Sequence, residues 1–461
     1  MKYREERDTM GTVMVPEAVY YGAQTQRALE NFQISGLRFP RPFIRALGII
    51  KKHAARVNLE LGLLEPRAAE AVIRSAEEVI QGRLDDDFVV DLFQTGSGTS
   101  TNMNANEVIA GRANEILTGK RGGRAPVHPN DHVNLGQSSN DVIPSTIHIA
   151  ALSGIRDRLL VSLGSLQDAL KERSEAFSRI TKMGRTHLQD AVPVTLGQEF
   201  SGYARQVELG IDRIRSVEPR LAELALGGTA VGTGLNTHPR FAQRVIEGVR
   251  KETGCPFREA RNHFEAQACQ DTAVETSGAL KTIAVSLVKI ANDIRWLSSG
   301  PRCGLGEITI PSLQPGSSIM PGKVNPVIPE VVLQVAGQVI GNDAAIVFGG
   351  QAGNFELNAM LPLVAHNLLQ SILLLDRAAR SLGEKCIPGI TADEHRCASN
   401  VERSLALVTA LVPVIGYDKA ATLAGEAYAQ GKSIREAALA RHILPADEID
   451  RILNQAVKQT K

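Results

Sequence analysis

The sequence predicts a mainly α-helical protein of three domains, organised around a central bundle of long helices. Three observations support this. Long segments carry apolar residues at helical spacing, the clearest of them without a proline. Aromatic residues make up only 4% of the chain, so its core must be built of Leu, Ile, Val and Ala, which let helices approach closely. Strand signals are few and short, chiefly GEITIP at 306–311. At 461 residues, a single small core is excluded.

Residues 1–40 read as turn-rich, and a helical run follows at 41–61. Long helical patterns recur around 142–175, 194–225, 326–346 and 355–383. The strongest is 264–297, where Leu280, Ile283, Leu287, Ile290, Ile294 and Leu297 alternate steps of three and four, the seam of a helix packed in a bundle. Past about residue 392 the pattern shortens into DKAATLAGEAYAQ and SIREAALARHI. These readings divide the chain into an N-terminal mixed, mostly helical domain (1–137), a central long-helix domain (138–391) and a small C-terminal helical domain (392–461). Helices well beyond the usual roughly 11–12 residues imply that each buries more than one face. Association of subunits through those faces would bury the remainder.

Lys plus Arg (51) nearly cancels Asp plus Glu (50), so no basic field exists to draw nucleic acid or an acidic membrane. No run of 18 apolar residues is visible, and the opening MKYREERDTMG is too charged for a secretory leader. Five cysteines without CxxC spacing suggest neither a disulfide framework nor a structural zinc site, and fit a reducing, cytoplasmic setting. The expected partners are a small molecule and further copies of the chain.

Four polar stretches interrupt the helical pattern: QTGSGTSTNMN (94–104), HPNDHVNLGQSSND (128–141), GRTHLQD (184–190) and QPGSSIMPGKVNPVIPE (314–330). They offer hydroxyls and backbone N–H groups, and at helix N-termini such donors bind anions. Taken singly, each has a plainer reading. Asn140 and Asp141 read as caps of the helix that follows. TGSGT lacks the GK[ST] ending of a phosphate loop, and GGTAVGTG (227–234) follows a helix and reads as its terminating loop. A lone His187 reads as a hydrogen-bonded structural residue. No HExxH or similar spacing suggests a metal, and no cofactor is expected. Function is indicated by four such loops in one chain.

GSSIMPGKVNP resembles the signature loop of the fumarase/aspartase superfamily, and the resemblance runs almost end to end. GAQTQR (22–27), QTGSGT, HPND, QSSND, GRTHLQDA, LGGTAVGTGLNTHP (226–239), KIANDIRWLSSGPR (289–302) and GNFELN (353–358) are similar to class II, iron-independent fumarases. The resemblance implies a homotetramer with a twenty-helix core, in which three subunits build each active site. It implies a lyase that reversibly hydrates fumarate to (S)-malate, a reaction of the tricarboxylic acid cycle, through an aci-carboxylate intermediate.

By the same resemblance, Ser317 matches the catalytic base. His187 matches the histidine that orients or protonates the departing water, and Glu330 its carboxylate partner. Ser97, Gly98, Thr99, Ser138, Ser139, Asn140, Thr186, Ser318, Lys323 and Asn325 match substrate-binding positions. His128, Pro129, Asn130 and Asp131 match a second, non-catalytic dicarboxylate site, although Ala125 stands where some members carry an arginine. Aspartate ammonia-lyase is the alternative, because VNPVIPE resembles the aspartase form. QTGSGT, QSSND and HPND favour the hydratase.

Overall fold

The computed structural model describes residues 2–458. Residues 1 and 459–461, the outer ends of the first and third expected domains, lie outside the described residues. Among the described residues, helices dominate: α1 (Ala23–Asn31), α2 (Arg41–Glu60), α3 (Pro66–Ile80), α4 (Thr99–Thr118), α5 (Ser139–Gly154), α6 (Leu160–Ala176), α7 (Leu196–Leu221), α8 (Phe241–Thr253), α9 (His263–Ala268), α10 (Asp271–Leu297), α11 (Val327–Gly350), α12 (Leu361–Lys385), α13 (Glu394–Arg403), α14 (Val412–Ile415), α15 (Tyr417–Gln430), α16 (Ile434–Ala440) and α17 (Ala446–Lys458). Two antiparallel hairpins, β1 (Tyr3–Asp8) with β2 (Gly11–Pro16) and β3 (Thr181–Thr186) with β4 (Gln189–Thr195), supply most of the strand content. GEITIP contributes only Ile308–Thr309, paired with Thr391–Ala392.

The predicted seam of the clearest helix is buried at every position, from Leu280 to Leu297. The element itself is broken: α9 ends at Ala268, Cys269 is extended (φ −93°, ψ 137°), and α10 begins at Asp271. The expected helix at 142–175 starts earlier, at Ser139, and passes through a wider π-helical turn at Ile155–Leu159 before continuing as α6.

The chain divides into two compact units. The first comprises residues 1–161, 212–284 and 337–376. Its centre is α2, which buries Phe43, Leu47, Ile50 and Ala54 and packs against α3, α5 and α8. Gly48 permits the α2–α3 approach, since a Cβ there would lie 3.0 Å from Val79 Cγ1. The N-terminal hairpin is held by Arg4, whose guanidinium donates to the carbonyls of Pro16 (2.9 Å), Val19 (2.8 Å) and Tyr21 (2.7 Å).

The second unit comprises residues 162–211, 285–336 and 377–461. Its C-terminal helices enclose an apolar cluster of Val401, Leu407, Leu411, Leu423, Ile434, Ile449 and Leu453, joined by Met183 of β3.

The long helices keep large apolar residues in solvent: Val285 and Trp296 on α10, and Val331, Ile340, Val347 and Phe348 on α11. By length and composition α11 could cross a membrane, yet only 33% of its most apolar window is buried within the chain.

Candidate active site

In the first unit, Ser97–Gly98–Thr99 forms the entry to α4. Gly98 caps the helix in the left-handed region (φ 74°), and a Cβ at the adjoining Gly96 would lie 2.0 Å from the Ala359 carbonyl oxygen, so only glycine fits there. The tight turn sets the Ser97 and Thr99 hydroxyls 2.7 Å apart.

Ser138–Ser139–Asn140 opens α5. The sequence reading of Asn140 and Asp141 as caps is corrected here: Ser138 is the N-cap, and Asp141, three residues on, closes a capping box by accepting from the Ser138 N–H. Asp141 also accepts from Gly227 N (2.9 Å) and Thr229 N (3.0 Å), tying the GGTAVGTG loop to the same turn. Asn140 Nδ2 donates to the Ala230 carbonyl at 2.8 Å, and Ser139 Oγ accepts from Asn102 Nδ2 at 3.0 Å. Asn102 lies in the first turn of α4, so the GSGT and QSSN segments meet.

His128 caps a short turn at Pro129–Val133, its Nδ1 accepting from Asn130 N (3.2 Å) and Asp131 N (3.1 Å). Burial, with Arg124 nearby, pushes its pKa down, and Asp131 opposes this. Arg124, whose charge reaches His128, donates to the Arg7 carbonyl at 3.0 Å.

In the second unit, GRTHLQD is not a simple loop but the tip of the β3–β4 hairpin. Thr186 pairs with Gln189 across it. His187 (φ 55°) and Leu188 (φ 58°) form the turn, both in the left-handed region that non-glycine residues seldom adopt. Both are exposed. The hairpin is anchored from below by a buried ionic cluster absent from the sequence expectations. Arg185 forks onto Glu307 at 2.8 and 3.0 Å, Lys182 reaches Glu199 at 2.7 Å and Glu307 at 3.3 Å, and Asn400 adds a bond to Glu307 at 3.1 Å. Burial pushes the Glu307 pKa up, but Arg185, Lys182 and Asn400 outweigh it and hold the carboxyl below its ordinary value. The strand that leads to His187 is thereby tied to Glu307 through Lys182 and Arg185.

Residues 312–326 form the long loop, and Glu330 falls in the first turn of α11. The loop closes on itself: Gly316 N donates to the Lys323 carbonyl (2.8 Å), and Asn325 Nδ2 donates to the Gly316 carbonyl (2.5 Å). A Cβ on Gly316 would sit 2.3 Å from that Lys323 oxygen. Half-buried Ser317 sits inside this ring, and its Oγ accepts from Ile319 N (3.2 Å) and Met320 N (2.9 Å). Two N–H donors aimed at one hydroxyl oxygen stabilise that oxygen as an anion. Ser318 and Lys323 are exposed beside it. The recess around Ser317 is lined by residues 312–324 alone. Within the chain, His187 forms neither a hydrogen bond nor an ion pair with Glu330.

The chain matches the family described as Lyase over residues 11–341 and the one described as Fumarase C C-terminus over residues 407–456. It is 56% identical over 449 residues to the class II fumarate hydratase of Nitrosomonas europaea, covering 97% of each chain. It belongs to the class II fumarase family.

A second relative, the class II fumarate hydratase of Halobacterium salinarum, is 56% identical over 98% of this chain and 96% of its own. The fumarase fold extends over the whole molecule: the crystal structure of class II fumarase from Schistosoma mansoni superposes with a TM-score of 0.96 at 39% identity, covering 100% of this chain and 99% of that one. Against this fumarase frame, Lys51, Asn102, Asn134, Arg185 and Glu307 are the supporting residues that the sequence left unmarked. Asn102, Asn134 and Arg185 lie inside the polar stretches already singled out, and for Lys51 the available signal was a lysine pair, KK, inside the apolar run ALGIIKKHAARV.

Proposed function

We propose that the chain is a fumarate hydratase that interconverts fumarate and (S)-malate. The observation that carries the proposal is the Ser317 hydroxyl, held by two backbone N–H groups inside a glycine-hinged loop beside Lys323. In the malate-to-fumarate direction, the Ser317 oxygen takes a proton from the carbon next to a carboxylate. The C–H bond becomes an O–H bond, and its electron pair passes into the carboxylate to give the aci-carboxylate. Lys323, Asn325, Ser318 and the hydroxyls of Ser97, Thr99, Ser138 and Ser139 face the two carboxylates, with Gly98, Asn140 and Thr186 completing the cradle. The aci-carboxylate then returns its electron pair to form the C=C bond as the C–O bond on the adjacent carbon breaks. The departing hydroxyl takes up one proton to leave as water, and His187, with Glu330 behind it, either supplies that proton or orients the group that receives it from solvent.

The pocket requires other copies of the chain. His187, Ser318 and Lys323 all stand exposed in one chain, and the Ser317 recess contains no residue outside its own loop. The apolar faces of α10 and α11 favour a homotetramer in which further helices cover them, with three subunits contributing to each site. His128, Pro129, Asn130 and Asp131 form a second dicarboxylate site in this proposal, with Arg124 the available cation. A cytoplasmic location and a C-terminal domain at 392–461, whose helices share an apolar cluster with Met183 of β3, belong to the same proposal.

The aspartase alternative gains no support from the relatives described above, whose names are those of fumarate hydratases. The purified chain should therefore form fumarate from malate, followed by absorbance, and release no ammonia from aspartate. Ammonia release without malate turnover would overturn the assignment.

A further inference from the structure

Lys51, midway along α2, is fully buried. Its ammonium donates to two neutral amide oxygens, Asn134 Oδ1 at 3.0 Å and Gln137 Oε1 at 2.9 Å. It forms no ion pair with any carboxylate among the described residues. The acids around α2 are engaged elsewhere: Glu77 and Glu252 bind Lys52, Glu252 also binds His53, and Glu107 accepts from the backbone at the start of α1. Asp141 attracts Lys51 through space, but its oxygens are already taken by three backbone N–H groups. A buried cation without a bonded counter-ion is strongly unfavourable, and burial pushes the amine down to about 7. A stable fold alone gives no reason to keep it.

The bonds beyond Lys51 give one. Asn134 Oδ1 also accepts from Asn102 Nδ2 and Asn106 Nδ2, each at 3.2 Å, and Asn102 Nδ2 donates onward to Ser139 Oγ at 3.0 Å. The side-chain oxygens of Asn102 and Asn106 are buried without a partner; the Asn102 amide aims its hydrogens at Asn134 and Ser139, and the Asn106 amide at Asn134 and the Met103 sulfur. Because Ser139 Oγ accepts from Asn102, its own proton is free to donate outward, toward whatever the Ser138–Asn140 turn receives. As an ammonium Lys51 can only donate, so it turns the Asn134 oxygen toward itself, and that oxygen in turn draws the Asn102 and Asn106 amide hydrogens.

We propose that Lys51 is a positioning residue for the dicarboxylate: its charge sets the Asn134–Asn102–Ser139 chain so that Ser139 donates to the ligand, and the bound dianion supplies the negative charge that the fold withholds. The proposal rests on the fumarate hydratase reading of the site.

The test compares Lys51→Met, which removes the charge at similar length, with Lys51→Arg, which keeps it. Calorimetric titration with succinate, a non-reacting four-carbon dicarboxylate, gives Kd, and fumarate turnover gives KM and kcat. Lys51→Met should weaken succinate binding at least tenfold and raise KM in parallel, with kcat changed less than threefold. Lys51→Arg should stay within about threefold of wild type on all measures. Equal binding by wild type and Lys51→Met, or equal weakening in both variants, would overturn the role. If Lys51→Met does not fold, Asn134→Asp, which gives Lys51 a bonded counter-ion, should weaken succinate similarly, and unchanged binding there also overturns it. Wild-type turnover separates the two failures. A wild-type enzyme that hydrates fumarate while Lys51→Met binds normally refutes only the lysine, whereas a wild type without turnover refutes the site itself.

Discussion

Ser317→Ala should lower kcat for malate dehydration by about a hundredfold to ten-thousandfold, the range that a positioned proton-transfer group contributes. The fold should survive, because Ser317 makes its bonds within its own loop: Ile319 N and Met320 N lose one acceptor in a segment open to water. Circular dichroism and size-exclusion profiles should match the unaltered protein. Exchange of the malate carbon-bound proton with solvent should fall with turnover, since both depend on the same abstraction. Near-normal kcat would remove Ser317 from the role of base.

Lys323→Met should reduce kcat/KM for fumarate by about 10- to 100-fold, the worth of a charge-assisted hydrogen bond to a carboxylate. The side chain is exposed, and the loop is held by the Lys323 carbonyl rather than the amine, so the loop conformation should persist. Because negative charge accumulates on the carboxylate as the proton leaves, the loss should appear in kcat as well as in KM. Steady-state rates over a range of fumarate concentrations separate the two. Unchanged constants would detach Lys323 from the substrate.

Much of the fold was legible because the long helices repeat their apolar spacing without interruption, as from Leu280 to Leu297. The two hairpins were not, for a shared physical reason. In β1, Arg4, Glu6 and Asp8 share one face, and they pair with one another, with backbone groups and with Arg27 rather than with apolar neighbours, so no alternation of hydrophobicity marks the strand. In β3, Lys182 and Arg185 carry charge inward to Glu307, more than a hundred residues away, and inward-pointing charge reads as a polar loop. The N-cap of α5 was read at Asn140 and Asp141 rather than Ser138, although Asp141 does belong to its capping box, because QSSND offers several capping side chains in a row and only the closed bond between Ser138 and Asp141 selects one. The substrate-facing residues came from motif resemblance. The groups that hold them in place, Lys51, Asn102 and Glu307, depend on contacts that local sequence does not encode.

Pairs of variants test most directly whether distant segments of different copies build one pocket. Ser317→Ala and His187→Asn, each inactive alone, should regain fumarate hydratase activity when co-expressed and co-purified through two tags, because some pockets then receive an intact Ser317 loop from one copy and an intact hairpin from another. Ser317→Ala with Lys323→Met should gain nothing over the residual activity of the Lys323→Met parent, since both changes lie on the same loop. Mixed oligomers that stay as inactive as their parents in the first pairing would contradict a shared pocket.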